Sequence, residues 1–236
     1  MKAMIFAAGL GTRLKPLTDT MPKALVPLAG KPLLQWQVEK LREAGITDIV
    51  VNVHHFPDQI IDAVRANNGW GCNITVSDER DVLLDTGGGL RKAVPLLGKG
   101  PILACNVDIL STIDLPGLIR CYEQTGESLL VVSERTTQRY LCFDKQGRLQ
   151  GWINTATGET KGLDGQHLAF SGMQILNEEV LSRLDEMPED KFSLIPFYLH
   201  IMPTTSLRAY VPENYRMMDV GKIDQIAEAE AFARSI

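Results

Sequence analysis

The sequence has no long apolar run and no excess of basic residues. No stretch approaches the roughly 20 consecutive apolar residues that a membrane-spanning helix requires, and the N-terminus lacks the pattern of a signal peptide. Lysine and arginine number 24 against 29 acidic residues, a balance that argues against a nucleic-acid-binding surface. We therefore expect a cytoplasmic protein with no membrane partner and no nucleic-acid partner.

The cysteines form no recognisable pattern. Cys72, Cys105, Cys121 and Cys142 are scattered along the chain, without the spacing of a zinc site or a redox motif. They are expected to be free thiols in a reducing compartment. A linker rich in proline, glycine or serine is also absent, as are internal repeats, including the hexapeptide repeat of a β-helix. The 236 residues therefore predict a single domain over 1–236.

Strand-like apolar runs alternate with helix-like amphipathic segments through the first 133 residues. This alternation predicts an α/β fold with a doubly wound, mostly parallel, Rossmann-like sheet, in which ligands bind beyond the carboxyl ends of the strands. After residue 133 the pattern changes to an antiparallel hairpin and a further strand. Predicted strands cover 3–8, 48–53, 73–77, 101–105, 128–132, 140–143, 148–153, 167–176 and 206–211; predicted helices begin near 32, 57, 86, 115, 178, 192 and 222.

A glycine-containing loop directly follows the first predicted strand. Gly9 and Gly11 allow a sharp turn whose free N–H groups can face anionic oxygens. Arg13, Lys15 and Lys23 place three cations beside that turn. Small residues, free amides and cations together suit a polyphosphate.

Two common phosphate-binding motifs do not match this loop. A dinucleotide fingerprint needs a third glycine where Leu14 stands, and an acid after the second strand, where His54 and His55 stand. A Walker loop ending at Lys31 would need serine or threonine at Pro32. No metal-ligand spacing involves either histidine, so we predict structural roles for both.

The segment from Gly9 to Thr18, together with Pro22-Lys23 and the Gly30 to Leu33 stretch, resembles the nucleotide-binding signature of sugar-1-phosphate nucleotidyltransferases. The match extends over more than thirty positions, with Ala8 where many members have a third glycine. The resemblance implies a glycosyltransferase-A-like fold with a nucleotide-binding part at 1–133 and a sugar-phosphate-binding part at 134–236. It also implies catalysis by Arg13 and Lys23, and these nucleotide-binding residues: Ala8, Gly9, Gly11, Thr12, Arg13, Lys23, Asp85, Thr86, Gly87, Gly88 and Asn106.

Two aspartates are the predicted ligands of Mg²⁺, an ion that prefers carboxylate and phosphate oxygens. Asp108 follows the strand at 101–105, and Asp219 lies in an Asp-Val-Gly segment near the end of the chain. The family resemblance implies that both bind the metal. Val107 replaces the usual glycine before the first aspartate, and Lys222 replaces a usual threonine after the second motif.

The glycine run at 87–89 suggests close packing against a flat nucleobase, because consecutive glycines at a helix start are entropically costly. For the sugar phosphate, the resemblance implies contacts from Asn154, Ser171 and Gly172. Arg135 and Arg139 could also hold that phosphate, although a charged exposed loop is the favoured interpretation of these two arginines.

The predicted activity joins a nucleoside triphosphate, UTP or GTP, to a sugar 1-phosphate and releases pyrophosphate. The chain most resembles N-acetylmuramic acid 1-phosphate uridylyltransferases, which supply cell-wall precursors; mannose- or heptose-phosphate guanylyltransferases are the alternative. A nucleotide-binding regulatory relative without turnover and a dinucleotide-dependent oxidoreductase are further alternatives, the latter disfavoured by Leu14. We expect a monomer or small homo-oligomer.

Overall fold

The chain contains fourteen strands and seven helices, and a computed structural model describes all of its residues, from 1 to 236. The strands are β1 (Lys2–Phe6), β2 (Pro27–Leu28), β3 (Lys31–Pro32), β4 (Asp48–Val53), β5 (Asn73–Asp78), β6 (Ile102–Asn106), β7 (Ile109–Ser111), β8 (Ser128–Ser133), β9 (Arg139–Phe143), β10 (Leu149–Asn154), β11 (Glu159–Gly162), β12 (Gln166–Leu176), β13 (Leu207–Tyr210) and β14 (Met217–Asp219). The helices are α1 (Leu33–Glu43), α2 (Pro57–Ala66), α3 (Asp85–Leu97), α4 (Leu115–Thr125), α5 (Glu178–Ser182), α6 (Leu194–Ile201) and α7 (Ile226–Ala233).

One large mixed sheet organises the molecule. Its strands follow the order β11-β10-β9-β12-β6-β1-β4-β5, while β8 pairs with β12 and β13. The four strands β6, β1, β4 and β5 are mutually parallel, whereas β9 to β12 pair antiparallel. The predicted α/β fold class, with parallel central strands and a change of pattern after residue 133, is confirmed.

Alternate residues of the central strands face opposite sides of the sheet. In β1, Ala3 and Ile5 belong to one apolar core, and Met4 and Phe6 belong to the other. Helices α1, α2, α4 and α7 supply residues to the first core, and α3, α5 and α6 to the second. Both faces of the sheet are therefore covered, as a parallel sheet requires.

Local sequence signals explain several helix ends. Gly45, with a φ of 82°, lies just beyond α1 in a conformation that glycine adopts easily. Pro57 is the first residue of α2, where its missing N–H costs nothing. The Asn177 side chain accepts a hydrogen bond from the Val180 amide at the start of α5, as predicted for a helix cap.

The structure also contains elements that the sequence patterns did not predict. Strands β2 and β3 form a two-residue hairpin, β11 extends the antiparallel part, and β7 pairs with β14 in a separate ribbon. The first strand ends at Phe6 rather than at residue 8, because the Ala7 amide donates to the side chain of Asn52 on β4 instead of to the backbone of a neighbouring strand. No helix has the length and apolar character needed to cross a membrane.

Candidate functional site

A cleft opens at the carboxyl ends of β1 and β6, where the strand order reverses. After β1 the chain adds β4 and β5 on one side, then crosses to place β6 on the other. In an open α/β sheet, such a reversal leaves a crevice for a ligand. The cleft has a volume of about 470 Å³, and its lining includes Ala8, Gly9, Gly11, Thr12, Arg13, Lys23, Asp85, Thr86, Asn106, Val107, Asp108, Lys191 and Gly221.

The loop after β1 presents unpaired backbone amides to this cleft. The N–H groups of residues 8 to 11 donate no hydrogen bond to any group of the protein. Gly11 has a φ of 63°, and a Cβ there would lie 2.8 Å from the Thr18 Cγ2 and 3.1 Å from the Lys23 Cβ. Glycine is therefore required at position 11, and the loop has the donors of an anion-binding site.

Lys23 is buried at the floor of the cleft. Only 8% of the residue is exposed, and its ammonium group forms an ion pair with the Asp108 carboxylate. Lysine is almost never this buried without a partner, because desolvation of the charge is costly. The predicted catalytic lysine, Lys23, and the first predicted metal ligand, Asp108, are therefore in direct contact.

The β7–β14 ribbon brings Asp219 beside Asp108. Asp219 is paired in register with Ile109, and the Val220 amide donates to the Asp108 carbonyl oxygen at 2.8 Å. Burial raises the pKa of Asp219, and the negative charge of Asp108 raises it further. Two carboxylates 111 positions apart in sequence thus act on one another electrostatically.

Arg13 completes the charged cluster. A Cβ at Gly221 would lie 2.6 Å from the Asp219 Oδ1 and 2.8 Å from the Arg13 Nη2, so the guanidinium and the carboxylate face the same glycine. The positive charges of Lys23, Arg13 and Arg135 oppose the rise in the pKa of Asp219. The cleft therefore combines free amides, two cations and two adjacent carboxylates.

The glycines at the start of α3 pack against protein. A Cβ at Gly87 would lie 2.3 Å from the Phe192 ring, and one at Gly88 would lie 2.1 Å from the Asp190 carbonyl oxygen. Both glycine amides donate to the Phe192 carbonyl oxygen, at 2.8 and 3.1 Å. The sequence-based reason for this run, room for a nucleobase, was wrong: the bare backbone is needed by segment 190–192, and only Asp85 and Thr86 of this block line the cleft.

Segment 190–194 is fixed to α3 by further polar contacts. The Ser193 hydroxyl donates to the Asp85 Oδ2 at 2.6 Å, and the Leu194 amide donates to the Thr86 Oγ1 at 3.0 Å. Asp85 has a φ of 62°, a left-handed conformation that is unfavourable for a residue other than glycine. Because these contacts hold the segment against α3, Lys191 lies at the lining of the first cleft.

The predicted sugar-phosphate residues lie on two strands, with Ser171 and Gly172 in β12 and Asn154 at the end of β10. Gly172, with a φ of 71°, lies at a bulge of β12, where a Cβ would come within 2.8 Å of the Asn106 side-chain nitrogen. Ser171 is 1% exposed. Asn154 accepts a hydrogen bond from the Ala156 amide in the turn between β10 and β11. Gly172 therefore lies beside Asn106 of the first cleft, and Asn154 is paired in register with Arg139 on β9.

A second cleft of about 430 Å³ lies in the antiparallel part of the molecule. Both arginines are exposed, as the interpretation of a charged exposed loop expected: Arg135 lies in the loop after β8, and Arg139 is the first residue of β9. Both also line this second cleft. Arg135 donates to the Phe170 carbonyl oxygen at 2.8 Å. The other residues that line the second cleft are Thr137, Tyr140, Leu141, Trp152, Lys161, Phe170, Ser193, Ile195, Pro196 and Leu199.

Sequence reasoning missed a buried polar pair behind the cleft. The Asn52 Oδ1 accepts from the Ala7 amide, and the Asn52 Nδ2 donates to the Glu79 Oε1, both at 2.7 Å. The Leu84 amide donates to the Glu79 Oε2 at 3.1 Å. Burial raises the pKa of Glu79. The pair joins the loop after β1 to the loop before α3. In the sequence, the only sign of this pair was a polar residue, Asn52, within the apolar run of β4.

Both histidines that follow β4 make contacts that fit structural roles. The His54 Nδ1 lies 2.7 Å from the Glu79 carbonyl oxygen, and the His55 Nε2 lies 3.1 Å from the Thr18 carbonyl oxygen. Each ring therefore ties together two loops.

Comparison with known proteins identifies the family. The model of the nucleotidyl transferase family matches residues 2–235. The chain belongs to this family, as the loop after β1 predicted. It is 33% identical to N-acetylmuramate alpha-1-phosphate uridylyltransferase of Caulobacter vibrioides, over 97% of this chain and 95% of that protein. It is 46% identical to the protein of that name from Neisseria meningitidis, over 55% of this chain; the match spans about half (54%) of that relative's length.

A solved structure supports the same fold. A putative glucose-1-phosphate thymidylyltransferase from Bacillus anthracis, crystallised with a sucrose, superposes with a TM-score of 0.86. The superposition covers 100% of this chain and 96% of that one, at 17% identity. Identity this low supports a common fold and nothing finer.

Proposed function

We propose that this protein transfers a nucleoside monophosphate unit from a nucleoside triphosphate to a sugar 1-phosphate. The observation that carries the proposal is the convergence of Lys23, Asp108 and Asp219 beside the unpaired amides after β1. This reaction needs no covalent nucleophile from the protein. Catalysis then consists of holding two phosphates in line and neutralising the charge that spreads over them.

The triphosphate lies against the loop after β1 in this proposal. The amides of residues 8 to 11 and the guanidinium of Arg13 bind its oxygens, while Thr12, Asp85, Thr86 and Asn106 line the cavity around the nucleoside. Gly87 and Gly88 act indirectly, because they let segment 190–192 close against α3. The part at 1–133 thereby binds the nucleotide.

In this proposal, Lys23 acts on the α-phosphate. An oxygen of the sugar phosphate attacks the α-phosphorus, the bond from that phosphorus to the bridging oxygen breaks, and pyrophosphate leaves with the bonding electron pair. The Lys23 ammonium group shares the cleft floor with Asp108 and offers positive charge where negative charge develops.

The two aspartates fit a divalent cation, which we propose to be Mg²⁺. Their oxygen donors are of the type this ion prefers, and the mutual repulsion that raises the pKa of Asp219 would be relieved by a shared cation. When bound, the ion would supply charge neutralisation for the phosphate oxygens. Asp108 and Asp219 would hold it.

For the substrates, we propose UTP and N-acetylmuramic acid 1-phosphate. The full-length similarity to the Caulobacter uridylyltransferase supports this choice. The acceptor lies in the part at 134–236, with Gly172 at the boundary with the nucleotide, where Asn106 meets β12. Ser171 and Asn154 would shape the surrounding backbone rather than bind the acceptor. The product would be a cell-wall precursor.

The test is pyrophosphate release measured with each common nucleoside triphosphate, Mg²⁺ and a panel of sugar 1-phosphates. Release with UTP and N-acetylmuramic acid 1-phosphate is expected. Preference for GTP with mannose or heptose phosphate would replace this substrate pair by the guanylyltransferase alternative. Absence of release above blank in every combination would refute the enzymatic proposal.

Replacement of Asp108 by Asn separates an enzyme from a regulatory relative that only binds nucleotide. An enzyme should lose most of its rate, whereas a non-catalytic binder has no rate to lose. Val107 and Lys222, two of the departures from the family pattern, motivate this test. Lys145→Gln, which changes an exposed lysine in the turn between β9 and β10, is the matched control and should leave the rate unchanged.

A further inference from the structure

The second cleft lies between one face of the antiparallel strands and helix α6. Trp152 on β10 is paired in register with Leu141 on β9 and with Lys161 on β11, so the three side chains share one face. Arg139 lies two residues before Leu141 and belongs to the same face, because side chains alternate along a strand. Ile195, Pro196 and Leu199 form the opposite wall. The register thus directs two basic side chains and an aromatic ring into one cavity.

All charged side chains that line the second cleft are positive. Its lining contains Arg135, Arg139 and Lys161 and no acidic residue. The Arg139 guanidinium forms no ion pair in the structure, and Lys161 has only an exposed partner, Glu159, at 3.4 Å. The Lys161 ammonium also lies 5.8 Å from the centre of the Trp152 ring. Positive charge beside apolar and aromatic walls suits an anionic ligand with an apolar body.

One of the three cations is already accounted for by the proposed reaction. Arg135 donates a hydrogen bond to the Phe170 carbonyl oxygen at 2.8 Å, two residues before Gly172, which lies beside Asn106 of the first cleft. Its guanidinium is therefore anchored near the boundary at which the sugar phosphate must meet the nucleotide. A single phosphate on the acceptor would be served by Arg135 and the metal. Arg139 and Lys161 then face a ligand group other than that phosphate.

We propose that Arg139 and Lys161 bind a second anionic group, a carboxylate, on the acceptor sugar. This inference rests on the proposed function and makes the two residues determinants of acceptor specificity. A guanidinium can bind a carboxylate through two parallel hydrogen bonds, and a nearby ammonium adds a point charge. An acceptor without the carboxylate leaves both cations unpaired and gains nothing from them.

The test uses two acceptors that differ by one carboxylate-bearing ether group: N-acetylmuramic acid 1-phosphate and N-acetylglucosamine 1-phosphate. Wild-type kcat/KM should be higher for the first acceptor. Arg139→Gln and Lys161→Gln each remove a hydrogen bond to a charged group, so each should lower kcat/KM for the first acceptor about 10-fold and change it less than 2-fold for the second. Both side chains are exposed, so these substitutions should not affect folding. Lys145→Gln is the control for charge alone.

Calorimetric binding of both acceptors, with a non-hydrolysable UTP analogue present, separates this inference from the proposed reaction. Selective binding that Arg139→Gln abolishes, without turnover, would support the carboxylate site and refute the proposed reaction. Turnover with equal preference for both acceptors, or equal losses for both in the variants, would refute the carboxylate site alone. Neither selective binding nor turnover would overturn both. Added salt should reduce the preference, because the interaction is between partly exposed charges.

Discussion

At the scale of single residues, the ion pair between Lys23 and Asp108 defines the cleft. A buried ammonium group beside a carboxylate is stable only as a pair, since either charge alone would be desolvated without compensation. Asp219 adds a second carboxylate at the same place, and its pKa is raised first by burial and then by the negative charge of Asp108. The ligand-free site therefore already contains carboxylates that can bind a cation and an ammonium group that can bind a polyanion.

Lys23→Met should lower kcat/KM for nucleotidyl transfer by about 100-fold or more, because it removes a fixed positive charge from the reacting phosphate. Steady-state pyrophosphate release measures the loss, and circular dichroism verifies that the variant is folded. Lys145→Met, at an exposed position, is the matched control. A loss below about 3-fold in a folded Lys23→Met variant would exclude the assigned role.

Asp219→Asn should raise the melting temperature at neutral pH in the absence of metal. Because the folded-state pKa of Asp219 lies above its unfolded value, stability falls as pH rises from the ordinary aspartate range through the raised pKa, and the asparagine variant avoids that loss. The variant should also lose the stabilisation that Mg²⁺ gives with nucleotide. Thermal melts from pH 4 to 8 measure both effects; an unchanged response to Mg²⁺ would contradict the metal assignment.

Individual site residues were predictable to the extent that a local motif contains them. Lys23 and Arg13 follow a glycine loop whose chemistry is readable from sequence, and the loop indeed has free amides. Lys191 was not predictable, because it reaches the cleft through the docking of its segment on α3, about a hundred residues away in sequence. No local pattern records such a contact.

At the scale of elements, two packing arrangements bring distant parts of the chain together at the first cleft. The β7–β14 ribbon holds Asp108 next to Asp219, and the glycine run of α3 accepts segment 190–192. Each arrangement depends on close backbone contacts that leave little space for a larger side chain. Changes in these elements should therefore affect both stability and substrate binding.

Gly88→Ala should destabilise the protein by about 1–3 kcal/mol, because its Cβ would lie 2.1 Å from the Asp190 carbonyl oxygen and must displace backbone. Displacement of Lys191 should also raise KM for the nucleotide. Denaturant unfolding and initial-rate kinetics measure these effects. Gly9→Ala, whose Cβ would meet nothing within 4 Å, is the control for stability. Equal stability of the two variants would contradict the packing argument.

Asn52→Leu should cost about 1–3 kcal/mol, since the buried Ala7 amide loses its acceptor and Glu79 loses a donor. Loosening of the loop after β1 should lower kcat/KM as well. Asn73→Ala, at an exposed position on β5, should stay within about 0.5 kcal/mol of wild type. If the two variants unfold at the same denaturant concentration, Asn52 does not support the loop.

Element type was largely predictable, and the shortest elements were not. The strand Asp48–Val53 and the start of α2 at Pro57 follow directly from an apolar run and from proline chemistry. Ribbon strands of three residues, such as β7 and β14, have too few positions for a periodic pattern. Their pairing comes from tertiary packing, so the reason that the two aspartates meet was visible only in the folded chain.

At the scale of the whole molecule, a single sheet carries both clefts. Its parallel strands provide the first cleft, and its antiparallel strands provide the second. The change of pattern after residue 133 predicted this division, and a strand at 167–176 was predicted as well. The pairing of this long strand, β12, with β6, β8 and β9, which joins the halves, was not predicted. Strand order depends on contacts between distant segments, which periodicity does not encode.

UTP with Mg²⁺ should stabilise the whole fold, because the ligand binds only the native state. At 100 times its dissociation constant the gain is about 2.7 kcal/mol, or roughly 5–10 °C in melting temperature for a chain of this size. Differential scanning fluorimetry measures the shift, with GTP as the comparison. A larger shift with GTP would favour the guanylyltransferase alternative, and no shift with either nucleotide would contradict nucleotide binding.

The convergence of Asp108 and Asp219 on one metal–triphosphate complex is tested most directly by electron paramagnetic resonance titration of Mn²⁺, as a substitute for Mg²⁺, with UTP present. Wild type should bind one Mn²⁺ per chain in the ternary complex. Asp108→Asn and Asp219→Asn should each weaken that binding at least 10-fold. Unchanged Mn²⁺ affinity in either folded variant would contradict the account.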